Sequence, residues 1–159
     1  MKRIVVDVAA QRLTVYRDGE TERDYPCSTS RYGIGCREGS NRTPVGLHMV
    51  AEKYGDGVPL GGVFRSRVYT GETVRPDRSK TPSGQDCITT RILRLRGMQP
   101  GINQGGDRDS YRRYIYIHGT PEEGLIGTPS SHGCIRMTNA DVLDLYERIP
   151  VGTVVEIRG

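Results

Sequence analysis

A chain of 159 residues is long enough for one domain with a sizeable core, although its apolar fraction is only 35%, with no Trp and one Phe. Its 21 Gly and 9 Pro argue against a helical bundle and for short strands joined by turns and long loops. The net charge of +4 comes from scattered bases such as Arg91, Arg94, Arg96, Arg108, Arg112 and Arg113. No basic run interleaved with aromatics stands out, so nucleic acid is not an expected partner, whereas a small anionic substrate suits the mild positive surface.

Residues 1–3 carry two positive charges, and only three apolar residues follow before Asp7. That is too short for the apolar stretch of a signal peptide, and no segment has the length of a membrane span. Taken as it stands, the chain is expected to be cytoplasmic, without membrane insertion. A periplasmic placement would need a leader removed from it.

Residues 4–8 and 13–16 are short β-branched runs, and Asp18-Gly19 is a turn signal after the second. Further strands are expected at 21–28, at 45–50 behind Thr43-Pro44, and at 63–69. Residues 31–41, 55–62, 70–85 and 100–110 read as loops, the stretches 55–85 and 100–110 being candidates to border a site. Residues 88–95 suit a strand, with a helical turn as the other option. Residues 114–118 alternate, with Ile115 and Ile117 on one face and Tyr114, Tyr116 and His118 on the other. One helix follows: Thr138 or Asn139 offers a cap, Asp141 sits in the capping-box position, and Val142, Leu145, Tyr146 and Ile149 keep helical spacing. Pro150 and Gly152 end it, and 154–157 closes the chain as a strand.

Four cysteines, Cys27, Cys36, Cys87 and Cys134, do not imply disulfides in a reducing compartment. Cys27, Cys36 and His48 form only a loose three-ligand set, so no metal and no cofactor is expected. The chemistry concentrates instead in Ile117-His118-Gly119-Thr120 and in Ser130-Ser131-His132-Gly133-Cys134-Ile135-Arg136-Met137. A cysteine nucleophile needs a histidine within hydrogen-bond reach to take its proton, a third group to fix the histidine tautomer, and backbone N–H groups to hold an oxyanion. His132 and Cys134 are i and i+2, which on extended chain places their Cβ atoms roughly 6–7 Å apart. His118, at a strand end with a returning loop, is the better partner.

These residues carry a resemblance. His118-Gly119-Thr120, a spacer, then SHGCIRM, and a closing Pro-x-Gly-Thr-x-Val-x-Ile resemble the catalytic core of the L,D-transpeptidase (YkuD-type) family. The opening I-x-V-D…Q-x-L-x-V-Y and Thr43-Pro44-x-Gly46 agree with it, so the likeness covers nearly the whole chain. It implies a mostly β fold, a β-sandwich-like catalytic domain over 1–159 with one short C-terminal helix. It also implies Cys134 as nucleophile, His118 as general base, and the Gly119 carbonyl as the group that orients the histidine. Gly133 and Cys134 N–H groups would hold the oxyanion, while Ser131 and His132 would shape the site. Arg136 would hold a substrate carboxylate, or else form an ion pair with Asp141 or Asp144.

The activity so implied is cleavage of the L-to-D bond of a peptidoglycan stem tetrapeptide through a thioester. With the absent leader, the expectation is an L,D-carboxypeptidase that releases D-Ala from muropeptides during murein recycling. An L,D-transpeptidase that forms cross-links is the alternative, and a non-catalytic murein-peptide binding protein represents another class. The oligomeric state is left open.

Overall fold

The computed structural model describes every residue except Gln85, which ends the expected 70–85 loop and so lies outside the description. The chain forms β1 (Lys2–Asp7), β2 (Arg12–Arg17), β3 (Glu20–Pro26), β4 (Gly46–Tyr54), β5 (Gly62–Arg65), β6 (Val68–Thr73), β7 (Ile88–Gly97), β8 (Tyr116–Gly119), β9 (Ile135–Met137), α1 (Asn139–Arg148) and β10 (Val154–Arg158). It is mostly β with one α-helix among the described residues, and that helix is too short to cross a membrane.

β1 and β2 pair as the expected antiparallel hairpin, with Ile4 opposite Val15 and Val6 opposite Leu13. All four side chains are buried, because alternation sends them to one face. β10 runs parallel to β1, and β4 extends the sheet antiparallel to β10. β7 is the hub. It pairs with β4 through its C-terminal half, with β5 through its first residues, and with β8. β8 then pairs in parallel with β9.

Beyond β3, Ser28 exchanges both backbone hydrogen bonds with Arg136 of β9, at 2.9 and 2.8 Å. The β8–β9 branch is thereby joined to the β3 end of the sheet. One apolar core results, drawing Ile4, Leu13 and Val15 from one end and Ile117, Ile135 and Met137 from the other. Val142, Leu145 and Ile149 of the α1 segment close it. A smaller cluster of Phe64, Ile92 and Tyr116, with Cys134 packed against it, lies on the other side of β8.

Several elements depart from the sequence expectation for identifiable reasons. The 63–69 run is a hairpin, β5–β6, turned by Ser66 and Arg67, both at positive φ. A turn of this hand usually announces itself through Asn-Gly or Gly-Gly, and two ordinary residues give no such signal. β8 starts two residues later than expected, because Tyr114 takes φ 56° and breaks the alternation ahead of it. β7 is a strand throughout, although Thr90 at φ 70° and a register shift between Thr89 and Ile92 mark a bulge. β9 went unforeseen, since three residues between a Gly-rich turn and a helix cap are too few for a period to show.

The helix starts as expected: the Thr138 hydroxyl accepts the Asp141 N–H at 3.3 Å. Thr138→Ala is therefore expected to cost about 1 kcal/mol, read as a lower urea midpoint with an unchanged slope.

Candidate active site

The parallel β8–β9 pairing sets the site. Ile117 lies opposite Ile135 and His118 opposite Arg136. Cys134 stands two residues before Arg136, so it projects to the same face as His118 and Tyr116. The half-buried thiol ends the ladder: its Sγ accepts the Tyr116 N–H at 3.4 Å and donates to the Tyr114 carbonyl at 3.4 Å.

His118 is 3% exposed, and its Nδ1 lies 2.6 Å from the Gly119 carbonyl. A carbonyl only accepts, so Nδ1 carries the proton and Nε2 keeps a free lone pair. Gly119 has no room for a side chain, since a Cβ there would sit 2.6 Å from the Thr89 carbonyl. His118 and Cys134 are not hydrogen-bonded to each other in this state. Burial pushes the His118 pKa down to about 4, the Gly119 bond opposing and Arg136 adding to the effect. Burial pushes the Cys134 thiol up to about 11, against the pull of the Tyr116 N–H. The pair therefore rests as thiol and neutral imidazole.

The turn 131–134 is held from several sides. The Ser131 hydroxyl donates to the Cys134 carbonyl at 2.6 Å and accepts the Gly133 N–H at 3.2 Å. Thr43, from the Thr43-Pro44 motif, donates its hydroxyl to the Gly133 carbonyl at 3.0 Å. Gly133 sits at φ 132°, a conformation L side chains rarely adopt. The Cys134 N–H makes no hydrogen bond among the described residues, whereas the Gly133 N–H is already engaged.

His132 turns away from the thiol ladder. It is 43% exposed and places Nδ1 3.1 Å from Asp86 Oδ2, beside the Tyr32 ring. Arg136 is 1% exposed and pairs with Glu122 at 2.9 Å and Asp86 at 3.4 Å, rather than with Asp141 or Asp144. Its Nη2 also donates to Ser130 Oγ at 2.8 Å, and with two carboxylates on Nη1 its charge is already answered within the chain. Burial acts against ionisation of Glu122, yet the Ser83 N–H and Arg136 hold its carboxyl below the ordinary range.

Glu122, Asp86 and Arg113 were missed from the sequence. Glu122 follows the His118-Gly119-Thr120 motif closely enough to have been a candidate, while Asp86 lies in loop sequence with no signal. A cleft of about 190 Å³ opens at Cys134, lined by Glu38, Asn41, Arg112, Arg113, Ile115 and His132. Its walls come from 38–41 and 112–115, not from the expected 100–110 stretch. Cys27 is buried in the core, and His48 is buried between the Gly46 carbonyl and the Ser110 hydroxyl.

The sequence pattern of the YkuD family, described as the L,D-transpeptidase catalytic domain, matches residues 1–157. This chain belongs to that family. Among curated YkuD relatives, it is 30% identical over 158 residues to "Probable L,D-transpeptidase ErfK/SrfK" of Salmonella typhimurium, covering 97% of this chain and 43% of that protein. It is 54% identical over 103 residues to YqjB of Bacillus subtilis, covering 57% of this chain and 58% of that one. The chain thus spans about half the length of these relatives. The solved L,D-transpeptidase from Mycobacterium smegmatis shares the YkuD fold at TM-score 0.57 and 22% identity, over 99% of this chain and 58% of that one.

Two outcomes follow from the resting protonation states. Alkylation of Cys134 by iodoacetamide, followed on its own peptide by mass spectrometry, should keep rising past the ordinary thiol pKa of 9.0 toward about 11. A preformed thiolate–imidazolium pair would instead give a flat rate between about pH 5 and 8. Secondly, His48 and His118 both have pKa values near 4 in the fold against 6.5 ordinarily. The unfolded chain binds more protons in that window, so stability should fall as pH drops from 6.5 to 4, by at most about 3 kcal/mol per histidine. Urea unfolding at several pH values reads this directly.

Proposed function

We propose that this chain cleaves the L-to-D peptide bond next to the terminal D-Ala of peptidoglycan stem tetrapeptides, with water as the acceptor: an L,D-carboxypeptidase. The observation that carries it is the placement of the Cys134 thiol and the His118 imidazole on one strand face, with the imidazole proton held on Nδ1 by Gly119. This leaves Nε2 as the base. A rotation of the Cys134 side chain away from the Tyr114 carbonyl turns the thiol proton toward Nε2.

As the proton passes to Nε2, sulfur attacks the carbonyl of the third stem residue, and the oxyanion gains the Cys134 N–H as donor. The tetrahedral adduct collapses to a thioester, and D-Ala leaves with the proton from His118. Water then gives a proton to Nε2, adds to the thioester and expels the thiolate, which is reprotonated. Neutral at rest, His118 takes the thiol proton as the C–S bond forms and returns it to the leaving amine.

Water is supported as the acceptor by its abundance at a cleft that opens to solvent at Cys134. The second reading, transfer to the amine of another stem peptide, is supported by the names of the relatives. Incubating the protein with a disaccharide tetrapeptide, with and without a second stem peptide, and weighing the products separates them. Loss of one D-Ala without a dimer is expected; a dimer would establish the second reading, and no reaction would remove the enzymatic one. Cys134→Ala and His118→Ala should each lower turnover by at least about 10²–10⁴-fold. His132→Ala should keep more activity than either.

A further inference from the structure

Arg113 is a charge with no carboxylate in contact among the described residues. Its guanidinium is half-buried and lines the Cys134 cleft. It donates to two backbone carbonyls, Arg42 at 2.7 Å and Gly35 at 3.3 Å. Glu38, which lines the same cleft, acts on it only by longer-range attraction. Arg136, Arg94 and Arg148 are compensated by Glu122, Glu52 and Asp144, whereas Arg91, held by the Val58 and Thr90 carbonyls and stacked over Tyr146, lies away from the Cys134 cleft. Burial pushes the Arg113 pKa down, which marks the cost of holding this cation where it is. Two carbonyl bonds use two of five guanidinium donors and orient the fork without neutralising it.

Its position relative to the nucleophile is close. Arg113 Nη2 lies 3.8 Å from the point where a Cβ on Gly133 would stand. The next residue in the chain, Tyr114, takes the thiol hydrogen bond. A group held by Arg113 would therefore lie within one residue of the atom that attacks.

We propose that Arg113 is a specificity residue that anchors the free α-carboxylate of the stem peptide's C-terminal residue, so that only a terminal residue is released. This rests on the acyl-transfer reading above. In such a peptide the carboxyl carbon of the leaving residue lies about 3–4 Å from the carbonyl carbon under attack. A guanidinium beside Gly133 matches that distance, and its planar fork takes a carboxylate through two parallel bonds. A carboxylate at the far end of a long third-residue side chain would lie further from Cys134.

The test compares the tetrapeptide with its C-terminal amide, a neutral peptide of equal size. Binding is measured by calorimetry on the Cys134→Ala protein, where turnover cannot interfere. The acid should bind about 10–100-fold more tightly than the amide. Arg113→Gln should bring the two within about 2-fold by weakening the acid alone, and Arg113→Lys should fall between. Equal binding of acid and amide before any change at position 113 overturns the proposal without reference to whether a variant folds. So does equal weakening of both peptides by Arg113→Gln, or no binding of either. Turnover by the protein with Cys134 intact is scored separately. Discrimination without D-Ala release would sink the acyl-transfer reading and leave the Arg113 anchor standing; release without discrimination would do the reverse.

Discussion

The site depends on one short parallel pairing. β8 and β9 share only three registered residue pairs, yet the register of those pairs decides which side chains share a face. With His118 opposite Arg136, the thiol, the imidazole and the Tyr116 ring all lie on one side, and Ile117 and Ile135 on the other. A slip of one residue would exchange the faces, sending Cys134 toward the core and an isoleucine toward the histidine. The apolar pair Ile117 and Ile135, both fully buried, is what makes that slip costly. Packing on the inner face thus sets the chemistry on the outer one.

Charge around the site is arranged by the same strands. Arg136 is carried to its place by β9 and neutralised by Glu122, from the loop after β8, and by Asp86, from the segment before β7. Three separate stretches meet at one guanidinium. Asp86 also reaches His132, so the exposed histidine is tied into the network by contact, while the buried one feels Arg136 and Asp86 only at longer range. Both site cations, Arg113 and Arg136, favour a thiolate, whereas burial opposes it. The resting thiol is the outcome of that balance, in a site whose groups are already oriented.

Much of the architecture could be read from residues alone, where a period was long enough to count. The hairpin of β1 and β2, the capped helix and the last strand all follow from alternation, caps and terminators. What stayed hidden depended on contacts between distant segments. β9 is too short for periodicity and exists because Ser28 and β8 flank it. The β5–β6 turn uses Ser66 and Arg67 in a conformation neither residue advertises. Within the site, the HGT and SHGC motifs named the cysteine and the histidines. The partners of Arg136 had no local signature, and a nearby acid on the helix, Asp141 or Asp144, was the natural guess. Asp144 instead serves Arg148 and Tyr25.

The bridge between Ser28 and Arg136 has a consequence for how a peptide can be read. β9 is hydrogen-bonded along β8 on one side and to Ser28 on the other, so its backbone presents no vacant edge. On the reading proposed above, an extended peptide would not add to β9 as one more strand, the mode by which many proteins recognise peptides through main-chain bonds. On that reading, recognition at Cys134 would fall to side chains and loop carbonyls. Such a surface would distinguish partners by charge and shape rather than by the generic backbone that every peptide shares.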